Sequence, residues 1–483
     1  MRSCRRRVLQ LTSSQTHKPR NRLAAGAQLD TDVKIWNTQV EGVALPAFQR
    51  ALRTIDERKK APVPKALPFP VFDADNHMYE TTDAFTKYLP AEYDGLVKYV
   101  QVNGRTKIAL RNVISDYIPN PTFTKVAPPG AQELEFRIKN PSSKHSVGGR
   151  GFHLKKVEEG ANLVGLPPKY IESPPAFFDP EARLKLMDEQ YIDRAMMWPT
   201  LASLLEERLA DDPEVTGVVV HALNEWMLEH WSFNFENRIF PTPVVNLGIL
   251  DNALREIDYI VENGARAILI RPASVPGLNG HRRSFALEEF DPFWKRVEEA
   301  GILVGMHASD DGYTRFTNEW DGVHGEMNPF KKISPFASLV HSEYRAIRDT
   351  VYSIVAHGLA TRFPKLRFMP VENGSQFIPT ALKAFEKIYD KQPEIFPEDP
   401  MVAFKRSIVI HPFFEEDVVG IVNLVGIDNV VFGSDYPHPE GMHDPTEFYD
   451  EIQELSEPDK AKLMGGNLNK LMGFAADDKA LVA

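Results

Sequence analysis

The residues of this sequence that could do chemistry stand where short apolar runs stop. The stretch Phe69-Pro70-Val71-Phe72-Asp73-Ala74-Asp75-Asn76-His77-Met78-Tyr79-Glu80 carries three carboxylates and an imidazole in its last eight positions. In an extended strand, side chains two apart share a face, so Asp73, Asp75 and His77 are expected to project together. Several acids pointing inward are costly without a cation, which is a first reason to expect a metal centre. Five further apolar runs end in a charged or imidazole side chain, at Arg271, His307, Glu372, His411 and Asp435. One such ending is no more than a hydrogen-bonded structural residue; six together ask for a common explanation.

That explanation lies in the elements between them. From Asp179 onward, amphipathic helical patterns alternate with short apolar strands. The helices are expected at Pro180 to Gln190, Pro213 to Trp231, Asn252 to Asn263 and Pro292 to Ala300. The strands are expected at 195–200, 243–248, 267–271, 302–307, 366–372, 407–411 and 430–435, eight with the opening one. Strands separated by helices pair in parallel through right-handed crossovers, and eight such units close into an α/β (β/α)8 barrel of the TIM type. A doubly wound open sheet is the alternative, but no Gly-rich phosphate loop follows the first strand. In a parallel barrel the C-terminal strand ends meet at one mouth, where the six terminal residues would converge. Packing alone does not explain them, since a barrel interior is filled by bulky aliphatic side chains.

The flanking segments read differently. Residues 1–30 hold seven Arg and Lys before the first acid, Asp30, and are expected to form a basic, disordered arm, with a targeting segment or an upstream translation start as alternatives. Residues 31–67 form a helical lead-in and a Pro-rich connector, and the barrel is expected over 68–475. An insertion of about 92–178 follows the first strand. It is rich in Pro, Gly and charge, with a β-hairpin signal around Asn103-Gly104, and is read as a cap or oligomer contact. A net charge of -11 argues against nucleic acid as a partner, and no stretch is long and apolar enough to span a membrane. The single cysteine, Cys4, excludes a disulfide framework or thiolate cluster and fits a reducing, cytoplasmic setting. A metal would then be held by nitrogen and oxygen.

Four motifs carry a family resemblance: Phe72-Asp-Ala-Asp-Asn-His77, Gly305-Met-His307-Ala-Ser, Arg362-Phe-Pro-Lys-Leu-Arg-Phe and Phe432-Gly-Ser-Asp-Tyr-Pro-His438-Pro-Glu-Gly. Over roughly Pro68 to Leu471 the chain resembles the amidohydrolase-related group that contains aminocarboxymuconate-semialdehyde decarboxylase. The resemblance implies a metal-dependent (β/α)8 barrel that decarboxylates, hydrolyses or hydrates ring-derived carboxylates with zinc or manganese. It places His77, His307 and Asp435 at ligand positions. Two positions depart from the group. Asp75 stands where many relatives have the first His of His-x-His, which hardens the site toward manganese. Glu372 stands where relatives place a catalytic His.

The resulting expectation is one divalent ion, manganese or zinc, on Asp75, His77, His307 and Asp435, with Glu80, His411 and His438 as additional candidates. Asp435, Glu372 and Arg271 are the candidate catalytic residues, Asp435 or Glu372 moving the proton. The carboxylate-x-His start favours a non-oxidative decarboxylase, a carbon-carbon lyase. Glu372 favours a hydrolase that uses activated water on an amide, ester or carbon-carbon bond. A non-catalytic metal-binding barrel is a third reading. The expected partners are a small-molecule substrate and, in a homo-oligomer, further copies of the chain.

Overall fold

The computed structural model describes residues 64–115, 117–118, 120–132, 169–324, 334–341 and 344–480. The basic arm over 1–30 and nearly all of the 31–67 lead-in lie outside the described residues, as does the middle of the insertion. Among the described residues, no helix is long and apolar enough to cross a membrane.

Strand β1 (Phe72–Met78) is buried along its whole length. It leads into the insertion, where β2 (Val97–Val102), β3 (Arg105–Leu110) and β4 (Val113–Ser115) form an antiparallel meander. Asn103 and Gly104 turn β2 into β3 with φ of 50° and 74°, the two positive values that a two-residue type I′ hairpin demands. Strands β5 (Lys125–Val126) and β6 (Ile171–Glu172) then pair antiparallel and draw the two ends of the insertion together. Strands β7 (Arg194–Pro199), β8 (Ile239–Pro241) and β9 (Ala267–Leu269) follow. After a small ribbon of β10 (Val275–Pro276) and β11 (Arg282–Arg283) come β12 (Leu303–His307) and β13 (Phe368–Val371).

The pairings run in the order that an eight-membered parallel barrel requires. β1 pairs with β7, and β7 with β8. A parallel bridge at Val244 and Leu269 reaches β9, which pairs with β12, which pairs with β13. Single parallel bridges then link Phe368 to Ile408 and Ile410 to Val430. Ala74 N–H donates to Phe432 O at 2.9 Å, and His77 N–H to Tyr436 O at 2.8 Å, so the 430–436 segment lies beside β1.

Three of the expected strands are less regular than their apolar patterns suggest. The run expected at 243–248 has its ladder earlier, at Ile239–Pro241, because Pro241 and Pro243 have no N–H to donate. The segments around 408–410 and 430–436 are extended but held by single bridges. Pro412 ends the first, and a left-handed backbone at Asp435 (φ 56°) ends the second.

The helices begin where local chemistry favours it. Asp179 caps Pro180–Glu189 by accepting from Ala182 N–H, Asp212 caps Pro213–Trp231 through Val215 N–H, and Asp399 caps Pro400–Ser407 through Met401 N–H. Each cap is followed by a proline whose fixed φ suits the first helical turn and whose missing N–H is not needed there. The parallel strands and helices enclose one core that includes the fully buried Trp198, Trp226, Trp231 and Trp294.

Candidate metal centre

β1 does not keep strict alternation. Its register against β7 shifts between Asp73 and Asn76, so Asp73 and Asp75 enter different surroundings. Asp73 turns into a closed network: Oδ1 accepts from Asp75 N–H at 3.0 Å and Ser434 N–H at 2.9 Å, and Oδ2 from Asn76 Nδ2 at 2.8 Å and Ser434 Oγ at 2.5 Å. The expectation that Asp73 joins Asp75 and His77 is therefore corrected, since these donors hold it as a structural acid. Asp75 is equally buried, yet neither of its oxygens has a hydrogen-bond partner.

Around Asp75 several of the strand ends converge. His77 Nε2 and His307 Nε2 lie 3.1 Å apart, and Asp75 Oδ1 is 3.4 Å from the first and 3.5 Å from the second. Asp435 Oδ1 is 3.4 Å from His77 Nε2, and Glu372 Oε2 is 3.3 Å from His307 Nε2. Ligand atoms of Asp75, His77 and His307 all fall within 4.8 Å of one another, as do those of His77, Glu372, Asp435 and His438. Glu372 and Asp435 each lie just past a strand, with φ of 52° and 56°. A non-glycine residue there costs on the order of 1–3 kcal/mol, a strain typical of residues aimed by a functional site.

The hydrogen bonds on the far sides of the rings decide what faces the centre. His307 Nδ1 is 2.8 Å from Ala308 O, a carbonyl that can only accept, so Nδ1 carries a proton, and whenever the ring is neutral its Nε2 lone pair faces inward. Thr200 Oγ donates to Met78 O at 3.0 Å and lies 3.3 Å from His77 Nδ1, which assigns His77 the same tautomer. Two imidazole Nε2 atoms and three carboxyl groups thus face one small space. A proton on His307 would satisfy part of this acceptor-rich set, and a divalent cation more of it. The residues present fit a nitrogen-oxygen metal site.

The electrostatics follow from burial and crowding. Burial pushes His77 down to about 4 against the pull of Asp75. His307 is raised: burial works against its charge, but Asp75 and Glu372 outweigh it. Asp75 is held below the usual range, burial being outweighed by the surrounding imidazoles. Asp435 moves the other way, raised well above the carboxylate range by burial and then by Glu372 and Asp75. One buried acid therefore favours its charge and its neighbour favours its proton, a division of roles found where protons are moved.

Three candidates take other places. Glu80 Oε1 accepts from Leu201 N–H at 2.7 Å and Ala202 N–H at 3.1 Å, so this oxygen serves the start of the helix Ala202–Arg208. Arg271 Nη1 pairs with Glu207 Oε2 at 2.6 Å and donates to Asp310 O at 3.2 Å, so its charge is engaged outside the cluster. His411 stands behind Asp75, with Nδ1 3.7 Å from Asp75 Oδ2 and accepting from Glu372 N–H at 3.4 Å. His438, by contrast, joins the cluster, with Nδ1 2.8 Å from Asp435 Oδ1.

Sequence reasoning missed several supporting residues. Thr200 closes the second apolar run and was findable by the same strand-end rule; Ser434 lies inside the quoted Gly-Ser-Asp motif. Arg183, fully buried, donates to His77 O at 2.8 Å and to Asn76 Oδ1, and nothing in its helix distinguishes it from a surface arginine.

The amidohydrolase family model matches residues 122–474, well over half of the chain. A crystal structure of an amidohydrolase from Mycobacterium avium subsp. paratuberculosis K-10 is 35% identical, with a TM-score of 0.74 over 84% of this chain and 99% of that one. The fold is also similar, at 15% identity and a TM-score of 0.50, to the 5-carboxyvanillate decarboxylase of Novosphingobium aromaticivorans DSM 12444, solved with manganese; 84% of this chain and 96% of that one are covered. A 2-amino-3-carboxymuconate-6-semialdehyde decarboxylase of Dictyostelium discoideum is 29% identical over 190 residues, which is 38% of this chain and 48% of that relative, about half its length. With the motifs, the strand order and the clustered histidines and acids in agreement, the chain belongs to the amidohydrolase family.

Proposed function

We propose that the chain is a metal-dependent decarboxylase of the amidohydrolase family, a carbon-carbon lyase acting on a ring-derived carboxylate. The observation that carries the reading is the set of inward-facing acceptors on Asp75, His77, His307, Asp435 and Glu372, two of them the unpartnered oxygens of Asp75. The similarity to a decarboxylase in Dictyostelium discoideum supports the reaction class. Asp75, His77, His307 and Asp435 would hold one divalent ion, manganese before zinc because half of the donors are hard oxygens. When bound, the ion supplies positive charge against which a substrate carboxylate and an adjacent ring oxygen can be oriented.

The chain's own residues do the rest. Asp435 or Glu372, the two carboxyl groups beside the histidines, would deliver the proton that the ring carbon must receive before its bond to the carboxyl carbon breaks and carbon dioxide leaves. Thr200 and Ala308 fix the imidazole tautomers. A hydrolytic reading keeps one specific support, the placement of Glu372 Oε2 3.3 Å from His307 Nε2, where a carboxylate could take a proton from water.

The setting proposed with this activity is a closed (β/α)8 barrel over 68–475 with an insertion of about 92–178, working as a cytoplasmic homo-oligomer on a small molecule. The test is a product assay on hydroxybenzoates and ring-cleavage acids, with manganese or zinc added, scored separately for carbon dioxide and hydrolytic cleavage. Carbon dioxide release from a ring carboxylate is the expected result. Hydrolysis alone would replace the reaction, and bound metal without any turnover would leave a binding protein.

A further inference from the structure

A line of aromatic rings runs from the insertion into the cluster. Phe123 stacks on Tyr79 with centroids 4.2 Å apart and planes 9° from parallel. Tyr79 lies 6.1 Å from His438 at 21°, and His438 lies 3.9 Å from His77 at 31°. Phe123 is buried and holds φ at 48°, a left-handed conformation that a bulky side chain adopts only when its surroundings impose it. Asn120 O accepts from Phe123 N–H at 3.2 Å, and Ser173 bonds Phe123 O, tying the residue to both arms of the insertion. Phe177 and Phe178, at the exit of the insertion, close on Tyr79 edge-on.

A second contact reaches the same loop through the backbone. Gly130 N–H donates to His438 O at 3.3 Å, and Gln132 N–H to Pro439 O at 2.8 Å. Gln132 Nε2 also donates to Glu440 Oε2 at 3.1 Å. Gly130 has φ of 68°, and a Cβ there would stand 2.8 Å from His443 N, so this approach has no room for a side chain. The insertion thus fixes the ring of His438 from one side and its peptide from the other.

We infer that Phe123 and Gln132 are positioning residues of the metal centre: through Tyr79 and the 438–440 backbone, the insertion clamps His438 against His77 and Asp435. The inference rests on the metal-centre reading, and a first measurement is chosen to be independent of it. In metal-free protein with ¹⁵N-labelled histidine, the His438 imidazole resonances, assigned by loss in His438→Gln, should move in Phe123→Leu, stay near wild type in Phe123→Tyr, and leave the His221 and His357 resonances unmoved. Divalent-metal affinity, measured with manganese by chelator competition, should then fall roughly 10- to 100-fold in Phe123→Leu, as when an outer support of a ligand is lost, and recover in Phe123→Tyr. Gln132→Ala, which leaves the aromatic core intact, should give a smaller loss in the same direction. Unmoved His438 resonances in both Phe123→Leu and Gln132→Ala would overturn the clamp. A wild-type protein that binds no manganese would sink the metal reading while the resonances still decide the clamp.

Discussion

Arg271 and Asp75 belong to the same parallel set of strands, and both are buried charges, yet their surroundings are opposite. Arg271 meets Glu207, which also pairs with Arg282 at 2.8 Å, while Arg208 pairs with Asp310 at 2.5 Å and Asn246 donates to Glu206 at 2.8 Å. Each charge there has a counter-charge or a donor. Asp75 meets the ring nitrogens of His77, His307 and His411 only at 3.4, 3.5 and 3.7 Å, and neither of its oxygens is hydrogen-bonded. Asp73 repeats the lesson two residues away, with four donors on its carboxylate. A residue type at a strand end does not make a site. What distinguishes the site is unfilled acceptor capacity on Asp75 gathered with two imidazoles within 4.8 Å.

This contrast can be broken most directly at His307. His307→Ala should lose at least about 100-fold in metal affinity, since even outer supports of a ligand commonly cost 10- to 100-fold, and turnover should collapse with it. Full metal content by elemental analysis would remove His307 from the centre. Glu372→Gln keeps shape but removes the ability to take up a proton. Turnover is expected to fall roughly 10²- to 10⁴-fold, the usual effect of losing general acid-base catalysis, with metal content near wild type. Wild-type turnover would leave Asp435 as the carboxyl that moves the proton.

Arg271→Met tests the other half of the comparison. Removing one partner of a buried pair leaves Glu207 with Arg282 alone and Glu206 with only the Asn246 donor, and should cost about 3 kcal/mol in denaturant unfolding, with manganese affinity unchanged. Loss of metal without loss of stability would return Arg271 to the active site. Gly433→Ala should be milder. A Cβ there would lie 2.5 Å from His411 Nε2 and 2.7 Å from Asp75 Cβ, and overpacking of this kind costs roughly 1–3 kcal/mol. Because the displaced groups adjoin the centre, metal affinity should weaken as well; unfolding and metal titrations matching wild type would show that the wall yields. His357→Ala is the control at the small end. His357 follows the helix Arg345–Ala356, with Nδ1 3.1 Å from Ser353 Oγ, and its loss should stay within about 0.5 kcal/mol with unchanged turnover.

Much of this was legible in the sequence because it is written locally. The Asp-Pro pairs at 179 and 212 start helices by chemistry confined to one turn, and Asn103-Gly104 makes its hairpin for the same reason. Apolar runs ending in His77, His307, Glu372 and Asp435 announced a shared mouth once the alternation of helices and strands required parallel pairing. Partnership was decided only by the tertiary structure. Whether Asp73 or Asp75 faces the centre depends on a register shift against β7 and on Ser434, 361 residues away. Whether Arg271 and Glu80 are free depends on Glu207 and on the amides of Leu201 and Ala202. The bearing of Phe123 on His438 needed the folded insertion. Helix caps and turns are satisfied within a few residues, but the charge state and partners of a buried side chain are set by whatever the fold brings within about 4 Å of it, where the low dielectric makes each neighbour count.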